Sequence, residues 1–234
     1  MNVLCPSCLG GRSKERSFHL YPDGSGKGRC YRASCGWKGT YDGLVPSAQP
    51  VIHTTAREPL RSTHRHWLLS RVGPEVVRRL DAFSGGSRIG LPVLSPLGVD
   101  VGHVLRAVDG SRPKYVSEMP TGYKLGAWYG SACGADVVLV EDQLSAACIA
   151  EYSCGTLTAI ALLGHALHQE LTVELSKRNI STVKLALDRD AKHKAVESYL
   201  KARAILDIDL VMLPDDVKNL PKEQVLEILE CTES

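Results

Sequence analysis

Four short apolar runs in the C-terminal part of the chain each lead into a stretch whose apolar residues recur at helical spacing. ADVVLVE precedes DQLSAACIAEYSC, LTAIALLG precedes HALHQELTVELSKR, STVKLALD precedes RDAKHKAVESYLKARAIL, and DIDLVMLP precedes PKEQVLEILE. A continuous apolar run of strand length asks for cover on both faces, so this alternation predicts βα units on a parallel sheet, with the functional edge at the carboxyl ends of the strands. Glu141 closes the first of these strands and Asp188 the third, while Asp215 and Asp216 follow the fourth.

Upstream the pattern changes. HRHWLLSR predicts a short helix, and GPEVVRRLDAF a second one with Pro at a first-turn position. RIGLPVLSP and DVGHVLRAV predict two strands joined by a turn at Pro96-Leu97-Gly98. Residues 43–65, GLVPSAQPVIHTTAREPLRSTHR, are rich in Pro, Ser and Thr without a sustained period and read as a flexible tether.

One stretch carries two opposed readings. In LALDRDA the strand-like run ends in Asp188, Arg189 and Asp190. In an extended chain residues i and i+2 share a face, so the two carboxylates repel unless a positive charge sits between them. Asp190 could instead cap the following helix with Asp188 in a solvated loop. Taken alone the stretch supports a helix cap and a divalent-cation site equally. The further acids at neighbouring strand ends tilt it toward Mg²⁺ or Mn²⁺, which bind carboxylate and phosphate oxygens.

The 234-residue chain is 44% hydrophobic, ordinary for a protein that buries a core. It has no apolar run of spanning length and no secretory signal pattern, so a cytoplasmic protein is expected, with no membrane partner. The formal net charge of +2 hides an asymmetry: residues 1–132 hold 18 basic against 9 acidic side chains, and residues 133–234 hold 10 against 17. The front part suits a polyanion and the back part suits cations.

Eight cysteines in such a chain read as ligands or buried thiols. Cys133, Cys148, Cys154 and Cys231 are scattered and read as packing. Cys5 and Cys8 form a Cys-x-x-Cys pair, and Cys30 and Cys35 a second pair, with SFHLYPDGSGKGR between them as a β-hairpin. Four thiolates at that spacing suit one structural Zn²⁺ in a zinc ribbon, because so short a segment has too few large apolar residues to fold without a metal. His19 reads as an ordinary sheet residue rather than a ligand. Arg12, Lys14, Arg16, Lys27, Arg29, Arg32 and Lys38 are interleaved with Phe18, Tyr21, Tyr31 and Trp37. Cations that hold phosphates beside rings that stack on bases suit single-stranded nucleic acid, although the rings also serve as the hairpin's small core.

The chain resembles the TOPRIM-type DNA primases of bacteria and their phages over nearly its whole length. VLVEDQLSA is similar to the first TOPRIM motif, LALDRDA to the Asp-x-Asp motif, LPDDVKNL to the later acidic motif and RAVDGSRPKYVS to the basic motif of that family. The fold implied is α/β with a small β zinc ribbon. Residues 1–42 would form the template-reading ribbon, 43–63 the linker, 64–132 a small basic α+β subdomain and 133–234 the TOPRIM parallel-sheet fold. The resemblance makes Glu141 a general base or metal-proximal acid and Asp188, Asp190 and Asp216 ligands of catalytic Mg²⁺ or Mn²⁺. It places Arg106 and Lys114 on nucleotide and template, with Arg88 and Lys124 as further basic positions. The activity implied is synthesis of short RNA primers on single-stranded DNA from ribonucleoside triphosphates by metal-dependent nucleotidyl transfer.

Two departures from the family pattern stand out. The first motif commonly reads Glu-Gly-x-x-Asp, whereas here Asp142 replaces the glycine and Ser145 the second acid. A phage-like Glu-Asp-x-Leu-Ser-Ala variant is similar. No P-loop of the G-x-x-x-x-G-K-[ST] type is present, so a replicative helicase is expected to be a separate polypeptide. Two rival functions share these modules: a recombination mediator that binds DNA without catalysis, and a TOPRIM nuclease.

Overall fold

Within Met1–Pro50, one of two units into which the chain divides, four short strands hydrogen-bond in sequence order. They are β1 (Asn2–Val3), β2 (Phe18–Leu20), β3 (Lys27–Cys30) and β4 (Lys38–Thr40), all antiparallel. Phe18 lies opposite Cys30 and is fully buried. A Cβ at Gly28 would come within 2.3 Å of the His19 carbonyl oxygen and 2.8 Å of the Phe18 ring, so only glycine fits there. The computed structural model describes residues 2–3, 5, 17–21, 27–32, 35–36, 38–40, 55–120, 122–130, 136–164, 167–178, 180, 182–187, 196, 199–200 and 202–230.

The second unit, Val51–Ser234, opens with helices α1 (Ser62–Leu69) and α2 (Pro74–Leu80). Pro74 stands in the first turn of α2, where its missing N–H would have had no intrahelical partner. An antiparallel sheet follows in sequence order: β5 (Phe83–Gly85), β6 (Arg88–Leu94), β7 (Asp100–Ala107) and β8 (Tyr115–Glu118). The turn between β6 and β7 is closed by Ser95, whose amide donates to the Val99 carbonyl at 2.8 Å. Gly98 takes the left-handed φ of +73° that this turn requires.

The tether reading of residues 43–65 is corrected from Thr55 onward. Glu58 bridges Ser84, Thr55 Oγ1 donates to Glu118 at 2.6 Å, and Arg57 forks onto Asp100 at 2.5 and 3.2 Å. Prolines and threonines hide the extended character of this stretch, and these three partners lie 26, 63 and 43 residues away in the sheet.

The C-terminal sheet has five strands in the order β13-β12-β10-β11-β9: β9 (Ala127–Tyr129), β10 (Val137–Val140), β11 (Thr158–Ala161), β12 (Thr182–Leu187) and β13 (Asp207–Met212). The four later strands run parallel, as the alternation predicts. The edge strand β9 is antiparallel to β11 and comes from residues assigned at the sequence level to the basic subdomain. Helices α3 (Gln143–Tyr152), α4 (Gln169–Lys177) and α5 (Lys222–Glu230) accompany this sheet, with a 3₁₀ turn at Val217–Asn219. Among the described residues no helix is long and apolar enough to cross a membrane.

Helix α3 is buried from Gln143 to Ala150, because it packs on β11 and meets α2 on another side. Leu144 and Ile149 are each fully buried, a burial that contributes about 1.5–3 kcal/mol per side chain. Ala146, Ala147 and Ala150 keep the helix close to its neighbours. Arg79 of α2 pairs with Glu151 of α3 at 2.8 Å. Cys148 is buried in this helix, whereas Cys154, read as packing from the sequence, is exposed.

Candidate functional site

Cys5, Cys30 and Cys35 bring their sulfur atoms within 4.8 Å of one another, the metal-ligand grouping found among the described residues. The Sγ atoms of Cys5 and Cys35 are 3.8 Å apart. The turn that presents Cys35 is tied by its own amide and that of Gly36, both donating to the Arg32 carbonyl, and Gly36 adopts φ +54°. The Cys30 thiol is held down to about 7, first by its hydrogen bond with Ser17 and then by Arg32 backbone and the two neighbouring thiols, against the opposing effect of burial. Three sulfurs gathered this closely suit Zn²⁺. Cys8, the expected fourth ligand, lies outside the described residues.

In the second unit the chain leaves β10 through Glu141 and Asp142 and turns into α3. Asp142 is the N-cap of that helix, its Oδ1 accepting from the Leu144 and Ser145 amides at 2.8 and 3.0 Å. Glu141, Asp142 and Gln143 line one side of a cavity of about 150 Å³, and Leu91, Val104, Arg106, Tyr115 and Ser117 of the antiparallel sheet line the other. Gln143 couples the two sheets. Its buried amide donates to the Pro92 carbonyl at 2.7 Å and to the Tyr129 hydroxyl at 3.0 Å. Burial pushes the Tyr129 phenol far up, so it stays neutral.

Arg106, near the end of β7, is only 8% exposed, and its Nε and Nη1 have no hydrogen-bond partner among the described residues. The guanidinium is held by two rings, 4.9 Å from the Trp67 centroid and 5.2 Å from that of Tyr115. It faces two spaces at once. One is the cavity shared with Glu141, and the other is an open groove of about 690 Å³ lined by Trp67, Arg71, Arg112 and Lys114. Burial raises the Tyr115 phenol, Arg106 opposes that, and Asp142 and Glu141 add to it.

The expected basic residues therefore separate. Arg106 reaches the acidic cavity, and Lys114 lines the groove, its Nζ 5.2 Å from the Tyr115 ring. Arg88 donates to the Pro113 carbonyl at 2.7 Å, which ties the base of β6 to the loop before β8. Lys124 is exposed in the loop before β9 and lines neither space.

The expected acids separate as well. Glu141 faces the cavity. Asp216 does not; its Oδ1 accepts from Ser145 Oγ at 3.0 Å and its Oδ2 meets the Lys218 ammonium. The same ammonium reaches Asp142 Oδ2 at 3.3 Å. Asp188 and Asp190 lie outside the described residues; β12, whose last residue is Leu187, is the strand beside β10.

Sequence reasoning missed Trp67, Tyr115, Gln143 and Lys218. A tryptophan in a short helix reads as core, and nothing in HRHWLLSR announces an arginine 39 residues later. A signal for Lys218 did exist. The replacement of one family acid by Ser145 and the gain of Asp142 ask for a compensating change nearby.

No protein-family model matches the chain. A 54-residue stretch is 44% identical to the Twinkle homolog protein, chloroplastic/mitochondrial, of Arabidopsis thaliana, covering 21% of this chain and only 8% of that relative's length. The zinc-binding and RNA polymerase domains of the Aquifex aeolicus primase are similar over 92% of this chain and 75% of theirs, at 16% identity and TM-score 0.60. A DnaG primase catalytic domain bound to single-stranded DNA is similar over 74% of this chain and 73% of its own, at 18% identity and TM-score 0.58. The primase fragment of the bacteriophage T7 primase-helicase is similar over 97% of this chain and 98% of its own, at 14% identity and TM-score 0.52. The chain thus has the mixed α/β fold of the TOPRIM-type DNA primases.

Proposed function

We propose that this chain is a DNA primase that joins ribonucleoside triphosphates into short RNA on single-stranded DNA. The observation that carries the reading is Arg106. A buried guanidinium with two nitrogens lacking partners among the described residues is unfavourable unless a ligand completes it, and a planar fork suits phosphate oxygens. Its place between an acidic cavity and a basic groove suits a nucleotide on one side and a template strand on the other. The description of a similar catalytic domain as bound to single-stranded DNA supports reading the groove as the template's path.

In this reading Trp67 and Tyr115 fix the guanidinium plane, and Arg106 takes the triphosphate. Arg71, Arg112 and Lys114 neutralise the template backbone, while Arg88 and Lys124 remain basic positions outside the groove lining. Glu141 accepts the proton of the attacking 3′-hydroxyl. Mg²⁺ or Mn²⁺, held by Glu141, Asp188 and Asp190, would supply charge neutralisation at the phosphoryl oxygens. Asp216 stands apart from this set, because its oxygens are engaged by Ser145 and Lys218. Zn²⁺ on Cys5, Cys8, Cys30 and Cys35 would hold the ribbon together. A replicative helicase as partner is an implication of the family resemblance.

A gel assay with single-stranded DNA, labelled ribonucleotides and Mg²⁺ tests the reading. New short RNA supports it, shortened DNA replaces it with a nuclease, and a shifted band alone replaces it with a DNA-binding mediator. Asp188→Ala and Asp190→Ala are expected to abolish incorporation while leaving zinc content and melting temperature unchanged. Full activity in both variants would remove those acids from the site.

A further inference from the structure

We infer that Lys218 is a built-in cation of the acidic edge, its ammonium standing between Asp142 and Asp216 where the two carboxylates would otherwise require a divalent metal ion. This deepens the metal-dependent reading above, and it identifies two acids of that edge that do not ligate metal.

The contacts account for every oxygen. Asp142 Oδ1 is used by the amides of Leu144 and Ser145 at the head of α3, and its Oδ2 accepts from Lys218 Nζ at 3.3 Å. Asp216 Oδ1 accepts from Ser145 Oγ at 3.0 Å and from the Lys218 amide at 3.4 Å, while its Oδ2 meets Lys218 Nζ. Among the described residues the neighbouring Asp215 uses Oδ1 alone, accepting from the Asp216 amide at 2.7 Å and from Asn219 Nδ2 at 3.2 Å. Each carboxylate oxygen of Asp142 and Asp216 thus already has a partner in the protein.

Burial makes the arrangement exclusive. The Lys218 side chain is 9% exposed, against 24% for Asp142 and 20% for Asp216. An ammonium so placed is little screened by water, so a divalent cation brought onto the same carboxylates would meet strong repulsion. Two carboxylates beside one fixed positive charge are also better balanced than the pair alone, which is the condition that otherwise draws in a hard cation.

The local sequence fits the same account. Where the resembling motif carries Gly and a second acid, this chain has Asp142 and Ser145. Ser145 is a neutral donor to Asp216 rather than another charge, and Asp142 is a cap that also receives the lysine. The negative charge has moved by three residues along the helix start, and Lys218 answers it from 76 residues away.

The test is Mn²⁺ binding to the zinc-loaded full chain, counted by electron paramagnetic resonance, together with the Mn²⁺ dependence of the melting temperature. Asp216→Asn should leave Mn²⁺ affinity within about twofold of the parent, whereas a ligand carboxylate would lose tenfold or more on this change. Lys218→Met should bind one more Mn²⁺ per chain than the parent and gain a melting temperature that rises on Mn²⁺ addition. A tenfold loss in Asp216→Asn, or an unchanged count in a folded Lys218→Met, would overturn the inference. Should Lys218→Met fail to fold, the Asp216→Asn affinity decides alone. A parent chain that binds no Mn²⁺ would sink the catalytic-metal reading but not this one, which the gain of a site in Lys218→Met would still support.

Discussion

The side-chain amide of Gln143 donates to the carbonyl of Pro92 at 2.7 Å, across 51 residues of chain. That bond joins the start of α3 to the middle of β6, and so holds Glu141 and Arg106 on opposite walls of one cavity. Gln143→Leu keeps the side chain's size but removes the donor, leaving the Pro92 carbonyl and the Tyr129 hydroxyl short of a partner in a buried place. A loss of about 1–3 kcal/mol in urea unfolding is expected. An unchanged midpoint would mean that the two sheets are held together by apolar packing alone.

Arg106→Lys retains the charge but not the plane that stacks between Trp67 and Tyr115 or the fork that grips phosphate. The half-saturating nucleotide concentration should rise tenfold or more with the fold intact. Trp67→Leu removes one of the two rings and should weaken nucleotide or template engagement by about 1 kcal/mol, roughly fivefold. Steady-state incorporation on a fixed template reads both. Equal behaviour of Arg106→Lys and the parent would leave the guanidinium without a functional role.

Salt dependence distinguishes the groove from the cavity. Arg71, Arg112 and Lys114 line the open groove, so each change to Ala should lower the slope of log affinity against log salt for single-stranded DNA by about 0.7. Fluorescence anisotropy titrations at several salt concentrations measure it. Slopes that do not move would place the template elsewhere.

Metal removal addresses the first unit. Among the described residues of that unit Phe18 is the large side chain that is fully buried, so bridging of the Cys5, Cys30 and Cys35 sulfurs is expected to hold the strands. Chelation, or Cys30→Ser, should release one zinc per chain and open Met1–Pro50 to proteolysis while the melting transition of Val51–Ser234 stays in place. Resistance to proteolysis after complete zinc loss would show that the strands hold without metal.

Much of the second sheet was legible from the residues. VVLV, TAIA and TVKLAL are largely apolar runs of strand length, broken in the last only by Lys184. The hairpin between the two cysteine pairs was legible for the same reason, since it is local. The segment from Thr55 was not, because a bridge to Ser84 and a pair with Asp100 depend on a sheet that forms later in the chain. The antiparallel edge strand at Ala127–Tyr129 escaped notice because AWY is too short to show a period.

The order of residues alone determined which segments become strands and helices and which chemical groups the chain carries: sulfur ligands at the front, arginines and lysines in the middle, carboxylates at the strand ends. Those properties follow from spacing over a few residues, where 2.0 and 3.6 periods act. Only the tertiary structure decided which charges are answered. Glu141 and Arg106 line one cavity, whereas Asp142 and Asp216 share Lys218, and these juxtapositions join residues tens of positions apart. Burial then sets their strength, because a charge withdrawn from water must be met by whatever the fold brings within reach.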